Sequence, residues 1–250
     1  MNRYLSFVVI FIAFISPYTL GWNASWWKFI PASLAIITLC RFAAPTSYKE
    51  ILGIKFTPKH IWLGLAIGLA TFLTSRTLID SILLPLGYVP GSTSQHLGWR
   101  YLSVFQVLNE ELIFRALALN FLADKMRGKF TANLVASTVF AALHYVLYQF
   151  SPENNPLSAY ALISLFAFAL ACNEFFLMTK SIAIPYALHL GWNINKFGNY
   201  WTFSTTGEML SEAKGFNLIE GNPAVLVASL SLAVLVLTVR FMRNRKLGLL

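Results

Sequence analysis

PAVLVASLSLAVLVLTVRFMRNRK, residues 223–246, decides the fold of this chain. The run is apolar as far as Arg240, and a cluster of Arg240, Arg243, Arg245 and Lys246 closes it. A helix of about 20 mainly apolar residues is what crosses the hydrocarbon core of a bilayer. A basic cluster at one end of such a run marks the side that stays in the cytoplasm. Seven more apolar runs precede it, at about 4–20, 26–42, 61–84, 101–122, 131–149, 158–178 and 182–200. The sixth and seventh are separated by a few residues around Lys180, so they form a tight helical hairpin. The first, in MNRYLSFVVIFIAFISPYTLG, also fits a signal peptide. No small-x-small cleavage site follows it and further spans do, so it reads as the first transmembrane helix.

Composition agrees. Of 250 residues, 57% are hydrophobic and 12% charged, and the mean hydropathy is +0.62. Soluble domains carry about 25% charged residues, so this chain has too few charges to cover a water-facing surface. The formal net charge of +9 would suggest nucleic acid in a soluble protein. Here the basic residues sit in short loops, with no basic, aromatic-lined groove, which excludes a nucleic-acid partner. Cys40 and Cys172 lie inside apolar runs, in no zinc or CxxC spacing, and read as small buried hydrophobes.

With the N-terminus in the cytoplasm, the cytoplasmic segments hold Arg3, then Arg41, Lys49, Lys55 and Lys59, then Lys125, Arg127 and Lys129, then Lys180, then the four residues of the closing cluster. Only Lys28, Arg100 and Lys214 fall outside, and Arg76, Arg115 and Lys196 lie within spans. This asymmetry obeys the positive-inside rule. Trp22, Trp26, Trp27, Trp99 and Trp201 cluster at the outer ends, where amphipathic rings favour the interface. Residues 85–100 and 201–222 read as outer loops. The expected fold is all-α: a polytopic transmembrane bundle of about eight spans with both termini cytoplasmic. It forms one membrane domain over 1–250, without repeats or linkers, and spans four to seven, 101–200, carry its chemistry.

Ionisable groups within spans each cost about 2.5–3.5 kcal/mol on insertion scales, so a chain that keeps several either pairs them or uses them. In the fourth span, NEELIFRAL places Glu111 and Arg115 four apart on one helix face, acid first, the favourable order for an ion pair. Glu110, rotated about 100° away, is left to face a cavity. The fifth span sets Phe140 and His144 on one face, and the seventh sets His189 and Asn193 on one face. Pro185, four before His189, is expected to kink the span and open space near the histidine. At about 1.5 Å per residue, Glu110 and His144 lie roughly 20 Å from the cytoplasmic ends of their spans, His189 about 11 Å and Asn193 about 17 Å. Four polar groups on three helices thus fall in one central slab and meet only around a water-containing cavity.

That set suits peptide-bond hydrolysis without a covalent intermediate. A carboxylate acts as general base on water with a histidine assisting, and a second histidine and an amide donate to an oxyanion. The same Glu, His and His also suit a three-ligand zinc site. Two other classes compete: a proton-coupled transporter, against which stands the lack of repeated halves, and a non-catalytic immunity or scaffold protein. No HExxH, GxSx or GxGD signature is present. Of the remaining polar residues, Asn173 and Glu174 are expected near the cytoplasmic end of the sixth span, within reach of water or Lys180. Arg76 pairs with Asp80, His60 and His96 are solvated in loops, Asn195 is a candidate substrate contact, and Lys196 snorkels outward.

EELIFR (110–115), FAALH (140–144) and HLGWN (189–193) resemble, in order, the EExxxR, FxxxH and HxxxN motifs of the CPBP family. That family comprises the CAAX-processing endopeptidases and the bacterial membrane proteins grouped with them, some linked to bacteriocin processing or immunity. The resemblance covers about a third of the chain, from Glu110 to Asn193, and implies an eight-helix intramembrane protease. Glu110 and His144 would activate the attacking water, His189 and Asn193 would form the oxyanion site, and Glu111, Arg115 and Phe140 would support them. No cofactor is expected. Zinc is not favoured, because the Asn193 amide is a poor zinc ligand and a good oxyanion donor. The expected partners are a membrane-anchored protein or peptide substrate and the lipid bilayer, in a prokaryotic cell membrane. Substrate entry is expected from the outer leaflet or the lipid side.

Overall fold

The computed structural model describes residues 29–44, 46–54, 57–86, 89–90, 97–149, 157–196, 203–204 and 223–246. The expected first span, the 201–222 loop apart from residues 203–204, His96 and the side chains of Asn195 and Lys196 lie outside the described residues. The helices are α1 (Phe29–Ala43), the single turn α2 (Tyr48–Ile51), α3 (Pro58–Leu83), α4 (Leu97–Glu111), α5 (Asn120–Lys125), α6 (Lys129–Gln149), α7 (Ala159–Thr179), α8 (Ala183–Lys196) and α9 (Pro223–Lys246). A π-helical stretch, Leu112–Leu119, carries α4 into α5 without a break. The strand structure among the described residues is an antiparallel two-residue pairing of Val89 with Ser204 and Pro90 with Phe203.

Among the described residues, four helices are long and apolar enough to cross a membrane: Pro58–Leu83, Lys129–Leu147, Ala159–Thr179 and Ala224–Lys246. Their apolar residues are distributed unlike those of a water-soluble bundle. Trp62, Leu65 and Leu69 on α3, and Val234 and Leu235 on α9, point outward, whereas Glu111, Arg115, Asn133 and Glu174 are wholly buried. Charged groups inside and bare apolar side chains outside suit hydrocarbon as the solvent.

α7 is the central post. Its apolar residues lie on all sides, as suits a surrounded helix, with polar exceptions in Asn173 and Glu174 near its end. Two-thirds of its apolar window (67%) is buried, against 17% for α3 and 28% for α9. It packs against α6, α8 and α9. The Ser158 hydroxyl caps its start by accepting from the Ala161 N–H, and Lys180 ends it in the left-handed region at φ 53°. The tight hairpin expected around Lys180 is therefore present. The chain between α2 and α3 docks onto that turn. Gly53 sits at φ 62°, its carbonyl accepts from the Ile182 N–H at 2.9 Å, and a Cβ there would lie 2.8 Å from the Phe176 ring. Asn120 ties the same corner together: its amide donates to the carbonyls of Ile51 (3.0 Å) and Ala116 (2.9 Å) and its oxygen accepts from Lys180 (3.3 Å). Partial burial, with Lys129 nearby, holds the Lys180 ammonium below its usual range, and Asp124 opposes the shift.

The closest helix contact joins α3 to α8. Gly64 and Gly68 lie against Ala183, Ala187 and Gly191, so backbone meets backbone. A Cβ on Gly191 would stand 2.2 Å from the Gly68 carbonyl oxygen, and one on Gly68 would stand 2.8 Å from that of Ala187. Small residues spaced by four are how membrane helices approach so closely without a hydrophobic driving force.

Three expectations need correction. Pro185 does not kink its helix. α8 begins at Ala183, so Pro185 lies in the first turn, where the missing N–H has no intrahelical acceptor to lose. Glu174 does not pair with Lys180. It pairs with Arg240 of α9 and accepts from the Asn133 amide at 2.7 Å, in a buried network continued by Ser137 and Asn173. The C-terminal basic cluster, which reads from sequence as loop charge, thus sends its first arginine back into the bundle. His60 is not in a loop either. It lies in the first turn of α3, where its N–H is capped by the Thr57 hydroxyl. Arg76 and Asp80 do face each other as expected, at 3.7 Å.

Gly191→Leu should lower the thermal midpoint of the purified protein by the equivalent of about 1–3 kcal/mol, as overpacking does; Leu69→Ala on the outward face of α3 should change it little. Equal midpoints for Gly191→Leu and wild type would contradict the α3–α8 contact. Glu174→Ala strands the arginine and should destabilise by about 3–5 kcal/mol. The double change Glu174→Ala with Arg240→Ala should be milder than the single one, and strict additivity would show that the pair does not interact.

Candidate functional site

The two adjacent acids end α4, and each meets a different neighbour. Glu111 is fully buried. Its Oε1 receives Arg115 Nη1 at 3.1 Å and His189 Nδ1 at 2.8 Å. The expected Glu111–Arg115 pair is therefore made, and it is shared with a histidine from another helix. Arg115, itself wholly buried, lays its guanidinium over the Phe140 ring, 4.6 Å from the centroid. A guanidinium is weakly hydrated and stacks on aromatic faces, so Phe140 gives the cation a second favourable surface where water is absent. Phe140 also packs edge-on to Phe114 at 4.9 Å and beside the His144 ring at 4.3 Å. The ring that opens the FxxxH motif is thus the floor on which arginine and histidine are both placed.

His189 stands between the two acids. Its Nδ1 engages Glu111, and its Nε2 lies 3.8 Å from Glu110 Oε2. A carboxylate beside an arginine only accepts, so Nδ1 carries a proton and Nε2 is the atom presented to Glu110. Phe168 of α7 braces the ring edge-on at 5.2 Å. His144 has the same polarity: its Nδ1 donates to the Phe140 carbonyl at 2.9 Å, because a carbonyl cannot donate. In the neutral form its Nε2 bears the lone pair. Glu110 is almost wholly buried and interacts electrostatically with His189, His144 and Arg115. Its Oε1 accepts from Gln106 Nε2 at 3.0 Å. Asn193 is buried one turn beyond His189 on α8.

The residues expected to converge, Glu110, Glu111, Arg115, Phe140, His144 and His189, are thus linked by direct contacts or by charge, and Asn193 shares the His189 helix. Sequence reasoning missed Gln106 and Phe168. The first had a signal, since Gln106 and Glu110 are four apart on one helix. The second had none: Phe168 lies in an apolar stretch of its helix, where one such residue looks like every other. It also missed the π-helical stretch that starts directly after Glu111. Such i→i+5 stretches are rare and recur at functional sites. Among the described residues, no group of three or more His, Cys, Asp or Glu is arranged to hold a metal ion.

Residues 92–195, which contain all three motifs, match the family model of Rce1-like proteins, the type II CAAX prenyl endopeptidases. This agrees with the CPBP resemblance carried by the motifs. No curated protein matches the chain. The apolar helices support an integral membrane protein, and residues 92–195 are similar to endopeptidases of that family.

Glu111→Ala should destabilise the protein by about 3–5 kcal/mol, because Arg115 would keep its burial and lose its carboxylate. Glu110→Ala should cost clearly less, because His189, 3.8 Å away, keeps its closer contact with Glu111. Thermal melts of both variants in one detergent decide this; equal losses would remove Glu111 from its structural position.

Proposed function

We propose that the protein is an endopeptidase that hydrolyses a peptide bond of a membrane-associated protein or peptide inside the bilayer. The observation that carries this reading is the approach of His189 Nε2 to Glu110 Oε2 at 3.8 Å within a buried site. That separation sets the atom that would take a proton from water beside the atom that would donate to the oxyanion. The similarity over 92–195 supports the reaction class.

In this reading Glu110 Oε2 takes a proton from water as the water oxygen bonds to the scissile carbonyl carbon. His144 Nε2 accepts the second hydrogen bond of that water and orients it. The carbonyl electron pair moves to oxygen, where His189 Nε2–H, in an imidazolium held by Glu111, and the Asn193 amide donate to it. Collapse of the tetrahedral adduct breaks the C–N bond, and Glu110 returns the proton to the leaving nitrogen. The scheme has no metal step. Asn193 favours it, since an amide serves an oxyanion better than it serves zinc. His189 differs from the expectation in one respect. With Nδ1 committed to Glu111, it donates to an oxyanion only when doubly protonated, so Glu111 is part of the oxyanion site at one remove.

The finer topology belongs to the same proposal: eight spans with both termini cytoplasmic, in a prokaryotic cell membrane. The basic residues of the short loops support it. Glu110 and His144 lie toward the outer half of their spans, which favours substrate entry from the outer leaflet or the lipid side. The prenylated CAAX terminus in the family's name is not carried over to this chain.

The test is a comparison of the host membrane proteome with wild type and with Glu110→Ala at equal abundance. The expected outcome is a precursor that accumulates only with the variant, or fragments that appear only with wild type. An unchanged proteome, with both variants supporting the same phenotype, would replace the protease with a non-catalytic immunity or scaffold protein.

A further inference from the structure

Gln106 touches the proposed general base from its own helix, and neither the motifs nor the proposed reaction assigns it a role. It sits one turn before Glu110, half-buried, and its Nε2 lies 3.0 Å from Glu110 Oε1. Of its two amide atoms, only the nitrogen can face an ionised carboxylate, since that group has nothing to donate. The bond therefore fixes the orientation of both side chains. It falls on Oε1, whereas the approach to His189 falls on Oε2. The two carboxylate oxygens are thus distinguished: one is engaged along the helix, the other is turned toward α8. A carboxylate on a flexible side chain in a dry environment rotates and shares its charge over both oxygens unless something holds one of them. The hydrogen bond from Gln106 holds Oε1 in this way.

We propose that Gln106 is a positioning residue for Glu110, holding Oε1 so that Oε2 is the atom that takes the proton from water. This rests on the hydrolytic reading above. In this role Gln106 acts through Glu110, so its removal acts on the chemical step and leaves substrate binding alone. A charge-assisted hydrogen bond of this kind corresponds to a loss of about 10-fold or more in turnover when it is removed from a base.

The experiment uses full-length protein reconstituted in proteoliposomes with two readouts. The first is infrared difference spectroscopy of the carboxylate bands, with Glu110→Gln identifying the Glu110 contribution. Gln106→Leu should shift that contribution, and Gln106→Asn, one methylene too short to reach, should shift it likewise. The second is turnover of the membrane protein identified by the Glu110→Ala comparison. Both variants should lose about 10-fold or more in kcat with KM unchanged, and should melt within the range of the outward-face variant Leu69→Ala. Gln106→Glu, which sets a second acid against Glu110, should be slower still. An unshifted carboxylate band would overturn the contact, and a shifted band with wild-type kcat would overturn its role in the reaction. Equal changes in kcat and KM, or a melt lowered in step with activity in both variants, would reduce Gln106 to a packing residue. Absence of turnover in wild type itself would sink the protease reading and this role with it, while the spectrum would still decide the contact.

Discussion

Everything at the centre of this bundle depends on one carboxylate oxygen, Glu111 Oε1, which meets a guanidinium and an imidazole at once. Either contact alone would leave an imbalance in a low-dielectric interior. An arginine with no acid is a stranded cation, and a glutamate with no cation does not stay ionised there. Joined, the three groups link α4, the π-helical stretch and α8 through charge where no water can serve. The apolar partners follow from that arrangement. Phe140 supports the arginine face, Phe168 the imidazole edge, and Phe114 packs behind Phe140. The aromatic cluster is thus arranged around an ionic centre and excludes solvent from it.

The two acids of the EE pair have identical chemistry and separate duties, and helix geometry makes the separation. Neighbouring positions point about 100° apart. One acid therefore turns toward the arginine and the ring nitrogen that fix the frame, and the other toward Gln106 and the opposite ring nitrogen. His189 reports on both at once, with one nitrogen for each. A second buried network, around Glu174 and Arg240, lies on the other side of α7 and ties α6 and α9 to it. Each set of charges is closed within its own group of helices, which is what an apolar solvent demands of any ion it encloses.

Much of this was legible in the sequence. The apolar runs place helices α1, α3, α6, α7 and α9 within a few residues, because in a membrane hydrophobicity and length are nearly the whole constraint. The motif residues converge because charge inside such runs is too costly to be left unpaired. What remained hidden was set by packing and not by composition. Glu174 looked like a partner for the lysine six residues away; its true partner is 66 residues away on α9, and depth alone cannot tell which helix lies alongside. Pro185 looked like a kink although the expected span began at residue 182, which already sets it in the first turn, where a missing N–H breaks no intrahelical bond. The π-helical stretch leaves no mark in an apolar pattern, since Leu112–Leu119 would read the same in either helix. The Gly64, Gly68, Ala183, Ala187 and Gly191 ladder was in plain view, but its meaning needs both helices to be seen together.

That ladder has a mechanical consequence. Where side chains separate two helices, rotamer changes absorb small sliding movements. Between α3 and α8 the contact runs through peptide planes, which have no rotamers to change. The two helices therefore travel as one beam, and any displacement of His189 and Asn193 is a displacement of α3 as well. A passage for a substrate cannot open along that seam. It has to open where contacts are made by deformable side chains, and the position of His189 and Asn193 relative to the bilayer is then set by how α3 sits in the lipid.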